Sequence, residues 1–421
     1  MRFLLSLYYR KIRVFGTENL PEDGAVIIIS NHQNALMDPV VSCVLIKRQI
    51  HWLTRADVFR NPLANALLRN LNMMPVYRAH DRADLRTAND PTFLECTRRL
   101  RLGAVVGLFP EGTHHGGKYL KSLKKGLARI ALSALNEIPD KKIFLVPVGV
   151  DYENSFYSGY DLAVSIGKPI DISHFRGRNP TENVALQEFV TLSREVLSRE
   201  MIEMNSPEMS ESFAVLEDIL ADLEDERSGI VRSQDSAFSS LHHTLFSPVK
   251  VTDESKWKNV ADQWIHFQKG HEFQYLRGTL EEMKNGKSRL GIYILYALFL
   301  PLHFIAMPFK WLVGKIVKAL IKDVYFTSSI KILVAPAIWT SAFLMVMPLL
   351  IFYDISMWLL PILPFLTFFY LKTWPSLGRK VRVYLSARAF ARVLALESSN
   401  SQWLIIRQQI ANLLVENRCS Q

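Results

Sequence analysis

The chain of 421 residues holds only three cysteines, Cys43, Cys96 and Cys419. Thiols so few and so scattered build neither a disulfide framework nor a metal knuckle, and they fit a reducing compartment. No Gly-x-Ser-x-Gly segment occurs, which disfavours a serine acyl-enzyme. Groove-reading motifs, internal repeats and low-complexity tracts are missing too, so nothing points to nucleic acid as a partner. Acids are scarce near the C-terminal end. Residues 291–421 carry 13 Lys+Arg against 4 Asp+Glu, residues 173–290 carry 14 against 20, and residues 1–172 carry 23 against 16. Basic ends beside apolar segments suit an anionic membrane or a phosphorylated substrate. The first residues, MRFLLSLYYRKIRVFG, have an apolar core too short to span a bilayer and no small-residue cleavage site. They predict a short interfacial helix, with Phe3, Leu4, Leu7 and Tyr8 toward lipid or the domain and Arg10, Lys11 and Arg13 at the headgroups.

Hydrophobic residues are plentiful, at 49% of the chain. From Ile12 to about Pro169, short apolar runs (Val26–Ile29, Val105–Phe109, Phe144–Val148, Leu162–Ile166) read as strands. They alternate with amphipathic helical stretches (Val40–Ile46, Pro62–Leu71, Thr92–Leu102, Leu127–Leu135). That alternation is α/β. The expected architecture is a central mixed sheet flanked by helices over residues 1–172, then an acidic helical region (173–289), a membrane region (290–373) and C-terminal amphipathic helices (374–421). Three apolar blocks define the membrane region: Leu290–Gly314, interrupted by Pro301 and Pro308, then Ile332–Phe352 and Met357–Leu371. Each approaches the roughly 20 residues that cross hydrocarbon. Basic residues flank the outer junctions, and the connection Tyr353–Ser356 has none. Ile332–Leu371 is therefore expected to be a hairpin with both ends cytoplasmic, and Leu290–Gly314 a re-entrant dip or a pair of short helices. The protein would be an integral membrane protein with its α/β domain on the cytoplasmic side.

Chemistry concentrates at strand ends. In VIIISNHQNALMDPV, His32 leaves a buried strand, and Asp38-Pro39 is a helix-start signal with Asp38 as the cap. Neutral imidazole can take a proton from a hydroxyl near pH 7, and Asp38 can hold its other nitrogen. In VVGLFPEGTHHGG a second strand ends at Pro110-Glu111-Gly112-Thr113, where the glycine permits close backbone approach to a ligand. Lys118, Lys121, Lys124 and Lys125 follow as point charges for a phosphate, and Arg78 adds a two-pronged clamp. His114 and His115 are adjacent, point apart and have no partner motif. They are taken as loop residues, and no metal site is expected.

Together these segments resemble the glycerophospholipid acyltransferase superfamily, which joins glycerol-3-phosphate and 1-acylglycerol-3-phosphate acyltransferases. Asn31, His32 and Asp38 stand for its first block, Met74 to Arg78 for its second, Phe109 to Thr113 for its third, and Val146-Pro147-Val148-Gly149 for its fourth. Five residues separate His32 from Asp38, one more than is usual in the family, a spacing associated with a minority branch of glycerol-3-phosphate-type enzymes. On a straight helix six positions turn through roughly 600°, so the two side chains meet only if His32 lies in a loop.

The resemblance implies transfer of a fatty acyl group from a thioester, acyl-CoA or acyl-carrier protein, to a hydroxyl of a phosphorylated glycerol or lysolipid. His32 would be the base and Asp38 its orienting acid, with Arg78, Glu111, Gly112, Thr113, Lys124 and Lys125 binding substrate and no further cofactor. 1-Acylglycerol-3-phosphate is the first expectation for the acceptor. Glycerol-3-phosphate or another lysolipid is the alternative, and an inactive membrane lipid-binding scaffold is the non-enzymatic one.

Overall fold

In the computed structural model the described residues are 2–60, 62–70, 72–77, 85–228, 254–276, 279–285, 290–320, 330–332, 334 and 362–419. Eight strands form one sheet: β1 (Ile12–Phe15), β2 (Ala25–Ser30), β3 (Ile50–Arg55), β4 (Met74–Val76), β5 (Val105–Leu108), β6 (Ile143–Tyr152), β7 (Leu162–Ile166) and β8 (Ile170–Asp171). Their order is β1-β7-β6-β2-β5-β3-β4, with β8 on β6. From β6 to β4 every neighbour is parallel, and β7 runs antiparallel to β6. The sheet is therefore mixed. All six residues of β2 are buried, because β5 and β6 lie on either side and both faces are covered. Such burial favours the unbroken Val26–Ile29 run over alternation, and each of those side chains contributes about 1.5–3 kcal/mol.

One face carries α4 (Leu85–Arg101), α5 (Gly126–Glu137) and α6 (Asn183–Ser198), and the other carries α1 (Arg2–Tyr8) and α2 (Met37–Leu45). A further short helix, α3 (Pro62–Asn70), precedes β4. Strands β1 and β3 were not expected from the sequence; their short runs, IRVF and IHWLTR, mix charge with apolar residues. Helix α6 was assigned to the acidic region, yet Leu186, Phe189, Val196 and Leu197 join the sheet's own core. The α/β body therefore continues past residue 172 to about Met201.

A second core gathers α7 (Pro207–Ser228), α8 (Glu254–Gly270), α9 (Thr279–Asn285), α11 (Ile362–Leu394) and α12 (Glu397–Cys419) around Trp264, Phe213, Phe390 and Trp403. The C-terminal amphipathic stretch thus turns Trp403, Ile406 and Ile410 inward and leaves Leu404 and Ile405 exposed. The expected boundary at 373/374 falls inside α11. Between α9 and α11 lies α10 (Leu290–Leu320). Among the described residues no single helix is long and apolar enough to cross a membrane. Tyr293–Pro301 and Ala306–Ala319, bent by 77°, meet that test only as a pair. Most of the expected Ile332–Leu371 hairpin, with Tyr353–Ser356, lies outside the described residues.

At the N-terminus the expected short helix forms as α1, and Leu5 and Tyr8 are buried against the domain. Arg10 and Arg13 are not held out for headgroups. Both pair with the buried Asp161, at 2.7 and 3.4 Å.

Candidate active site

Because β2, β5 and β6 are mutually parallel, their carboxyl ends open on one edge of the sheet, where ligands bind in α/β folds. His32 follows β2, the Phe109–Thr113 turn follows β5, and Tyr152 ends β6. Asn31 fixes the exit of β2. Its side-chain amide donates to the Val150 carbonyl and its amide oxygen accepts the Val150 N–H, at 2.9 and 2.8 Å. His32 then sits in a loop, and Ala35 turns the chain at φ +31°. This left-handed residue lies within the five-residue spacer and brings Asp38 back under the imidazole.

His32 Nδ1 lies 2.8 Å from Asp38 Oδ2. The carboxylate can only accept, so Nδ1 carries the proton and Nε2 is left as the basic nitrogen. The imidazole is partly exposed, with 15% of its side chain accessible, and Asp38 is fully buried. Asp38 Oδ2 also accepts the Asn34 N–H at 2.8 Å, and Oδ1 accepts the Tyr152 hydroxyl at 2.6 Å. Asp38 is not the helix cap the sequence suggested. Leu36 occupies that position, and Asp38 stands in the first turn of α2, holding the loop instead.

The ring of His32 stacks on Phe109 at 4.2 Å, and Phe109 stacks on Trp52 at 4.5 Å. Gly107 makes room for this pile: a β-carbon there would lie 2.8 Å from the Trp52 ring. Glu111 is buried, and both oxygens are engaged within the protein. Oε1 accepts the His32 N–H at 2.9 Å, while Oε2 accepts the Lys121 N–H at 3.0 Å and meets His115 Nε2 at 2.8 Å. Its carboxylate therefore ties the two loops together and is not presented to an acceptor. His115 also donates its backbone N–H to the His32 carbonyl at 3.0 Å. Far from an idle loop residue, it belongs to this tie, and no sequence spacing signals it, since Glu111 to His115 is a turn and not a helix. His114 stands edge-on to the His32 ring at 5.4 Å.

Gly112 has φ +74° and turns the loop, and Thr113 is exposed beside it. Lys121 Nζ reaches Thr113 Oγ1 at 3.3 Å. Lys124 is exposed, its backbone N–H on the Pro110 carbonyl at 2.7 Å; Lys125 Nζ bonds Asn183. Lys118, expected to face a phosphate, is buried and paired with Glu217 on α7 at 3.3 Å. Arg78 lies outside the described residues. Tyr152 went unnoticed in the sequence, lying three residues beyond the Val146–Gly149 block at the end of the same strand. Cys43 and Cys96 are free thiols, and burial pushes Cys96 up to about 12. Among the described residues no cluster of His, Cys, Asp and Glu could hold a metal ion.

The carboxyl edge of the α/β sheet thus holds an imidazole on a buried acid, an arrangement that can take a proton from a hydroxyl. Residues 11–151 match the family model described as Acyltransferase. The chain is 28% identical over 169 residues to a 1-acyl-sn-glycerol-3-phosphate acyltransferase of Borreliella burgdorferi, covering 38% of this chain and 62% of that one. It is 35% identical over 270 residues to an uncharacterized acyltransferase of Schizosaccharomyces pombe, covering 44% and 39%. A shorter match of 67 residues, 36% identical, relates it to glycerol-3-phosphate O-acyltransferase 1 of Saccharomyces cerevisiae, over 16% of this chain and 9% of that one. The chain thus spans less than two thirds of the length of each of these relatives.

Proposed function

We propose that the protein transfers a fatty acyl group from a thioester, acyl-CoA or acyl-carrier protein, to the hydroxyl of a glycerol-phosphate lipid acceptor, with 1-acylglycerol-3-phosphate first among candidates. The observation that carries this reading is the 2.8 Å contact between His32 Nδ1 and the buried Asp38, which leaves Nε2 as a base at the open sheet edge. In this scheme Nε2 takes the acceptor's hydroxyl proton as its oxygen attacks the thioester carbonyl. The C–S bond then breaks, and the departing thiolate receives that proton from the imidazolium. Thr113 and the exposed Lys124, with Lys121 and Lys125 beside them, offer hydrogen bonds and positive charge to a phosphate, and the Arg78 guanidinium is assigned the role of a two-pronged clamp on it. Glu111 acts by holding the loop. The extra spacer residue before Asp38 and the match to a yeast glycerol-3-phosphate O-acyltransferase favour glycerol-3-phosphate as the second acceptor.

Membrane attachment belongs to the same proposal. Leu298, Phe304, Met307 and Trp311 on α10 are each more than half exposed, an apolar surface of the kind that meets lipid, with the α/β domain on the cytoplasmic side. The test incubates carbonate-washed membranes containing the protein with labelled acyl-CoA or acyl-carrier protein and a panel of glycerol-3-phosphate, 1-acylglycerol-3-phosphate and other lysolipids. Labelled product is expected with a phosphorylated acceptor, and His32→Ala is expected to lower turnover by roughly 10²-fold or more while the protein stays folded. Activity near normal in that variant sinks the mechanism, and loss of the protein to the carbonate wash sinks the integral attachment.

A further inference from the structure

Tyr152 closes β6, the strand that bears the fourth sequence block, at the point where it reaches the His32–Asp38 pair. Its hydroxyl oxygen is 2.6 Å from Asp38 Oδ1, so it occupies the carboxylate oxygen that His32 does not use. Asp38 is entirely buried and Tyr152 is 3% exposed, so no bulk water competes for that oxygen. The strand end that carries Tyr152 is held from three sides. Asn31 pairs with Val150, Lys118 Nζ lies 3.4 Å from the Tyr152 carbonyl, and the neighbouring Glu153 receives both Arg379 nitrogens at 3.1 and 2.5 Å. A donor fixed this firmly sets the plane of the carboxylate, and with it the direction in which Oδ2 meets the imidazole.

We infer that Tyr152 is a positioning residue for catalysis, the third member of a Tyr152–Asp38–His32 relay. By donating to Asp38 Oδ1 it orients the carboxylate and moderates its pull on the imidazole proton. The inference rests on the acyl-transfer reading for its catalytic meaning. Burial, and next the negative charge of Asp38, hold the tyrosine pKa well above its ordinary value, so the hydroxyl keeps its proton and acts only as a donor. Without that donor, Asp38 attracts the imidazolium more strongly. His32 should then hold its proton to higher pH and be a base over a narrower range. The other titratable groups facing the relay are Tyr8 and Tyr9 from the N-terminal segment, Glu111, His114 and His115 from the β5 loop, and Lys118.

Tyr152→Phe keeps the ring and removes only the hydroxyl. Two readouts test it in the full-length protein. The first is the imidazole titration of His32 followed by NMR, which needs no turnover. It is expected to move upward by roughly 0.5–1 pH unit, the size a lost hydrogen bond to a charged group can transmit. The second is kinetics, in which kcat should fall roughly ten-fold with KM for both substrates unchanged, and the ascending limb of the pH profile should move in the same direction. In an Asp38→Asn background, where there is no charged carboxylate to orient, Tyr152→Phe should add little further loss. An unmoved His32 titration overturns the inference, as do additive losses in the double variant. If the wild-type protein acylates none of the acceptors, the acyl-transfer reading fails on its own, and the NMR titration still decides the relay.

Discussion

At the scale of single residues, motif and contact are different kinds of information. His32, Asp38 and Glu111 are legible because each stands beside a strand end in a short, distinctive string. Their partners are not. Tyr152 lies 114 residues from Asp38 and Arg379 lies 226 residues from Glu153, and contacts of that separation leave no periodicity in either neighbourhood. The same limit explains Glu111, whose motif suggested ligand binding while three internal donors converge on its carboxylate. Glu111→Gln tests that assignment. The amide has one acceptor oxygen, so its NH2 must face either the His32 N–H or the Lys121 N–H. A buried donor is left without an acceptor, at a cost of about 1–3 kcal/mol. Stability to denaturant should fall by that amount, and turnover should fall with it. A variant of unchanged stability that has lost only acceptor affinity would restore Glu111 as a binding group.

Elements show where local pattern succeeds. Buried runs found β2, β5, β6 and β7, and helical periodicity found α2 to α6, because burial on both faces or on one stripe dictates residue type locally. Strands β1 and β3 escaped because edge position and strand-end duty let charge into short runs. The junction of α6 with β6 and β7 illustrates a constraint that sequence hides. A β-carbon at Gly149 would lie 1.8 Å from the Glu200 carbonyl oxygen, so the glycine of the fourth block admits the end of α6 against the sheet. Glu200 follows that helix, and its carboxylate accepts the Ser165 hydroxyl at 2.5 Å. Burial raises its pKa above the ordinary 4.5. The folded state therefore binds this proton more readily than the unfolded chain, and the associated stability, complete below pH 4.5, is lost as pH rises through the folded value. Glu200→Gln keeps an acceptor for Ser165 and removes the titration. Its melting temperature should exceed the wild type's at pH 7, with the difference shrinking toward pH 4. A difference independent of pH would show that Glu200 titrates as it does in the unfolded chain.

For the whole molecule, the α/β body and the C-terminal helices are joined at the loop that follows β6. Arg379 of α11 grips Glu153, while Pro375 packs against Gly159, where a β-carbon would lie 2.7 Å from it. Breaking one partner of such a buried pair costs about 3–5 kcal/mol. Arg379→Met should fall near the lower end, since Arg10 remains 3.9 Å from Glu153. Adding Glu153→Gln should recover part of the loss, and denaturant titration of both variants measures it. A loss below about 1 kcal/mol would class the pair with exposed ones. The sheet order has a consequence in time. Strand β1 pairs in the sheet only with β7, so Ile12 waits for Leu162, 150 residues later in the chain. At about 5–20 residues per second, the first strand spends roughly 8–30 s of synthesis without its partner. Throughout that interval the apolar face of α1, later closed over by the sheet, is open to chaperones and to any lipid surface near the ribosome.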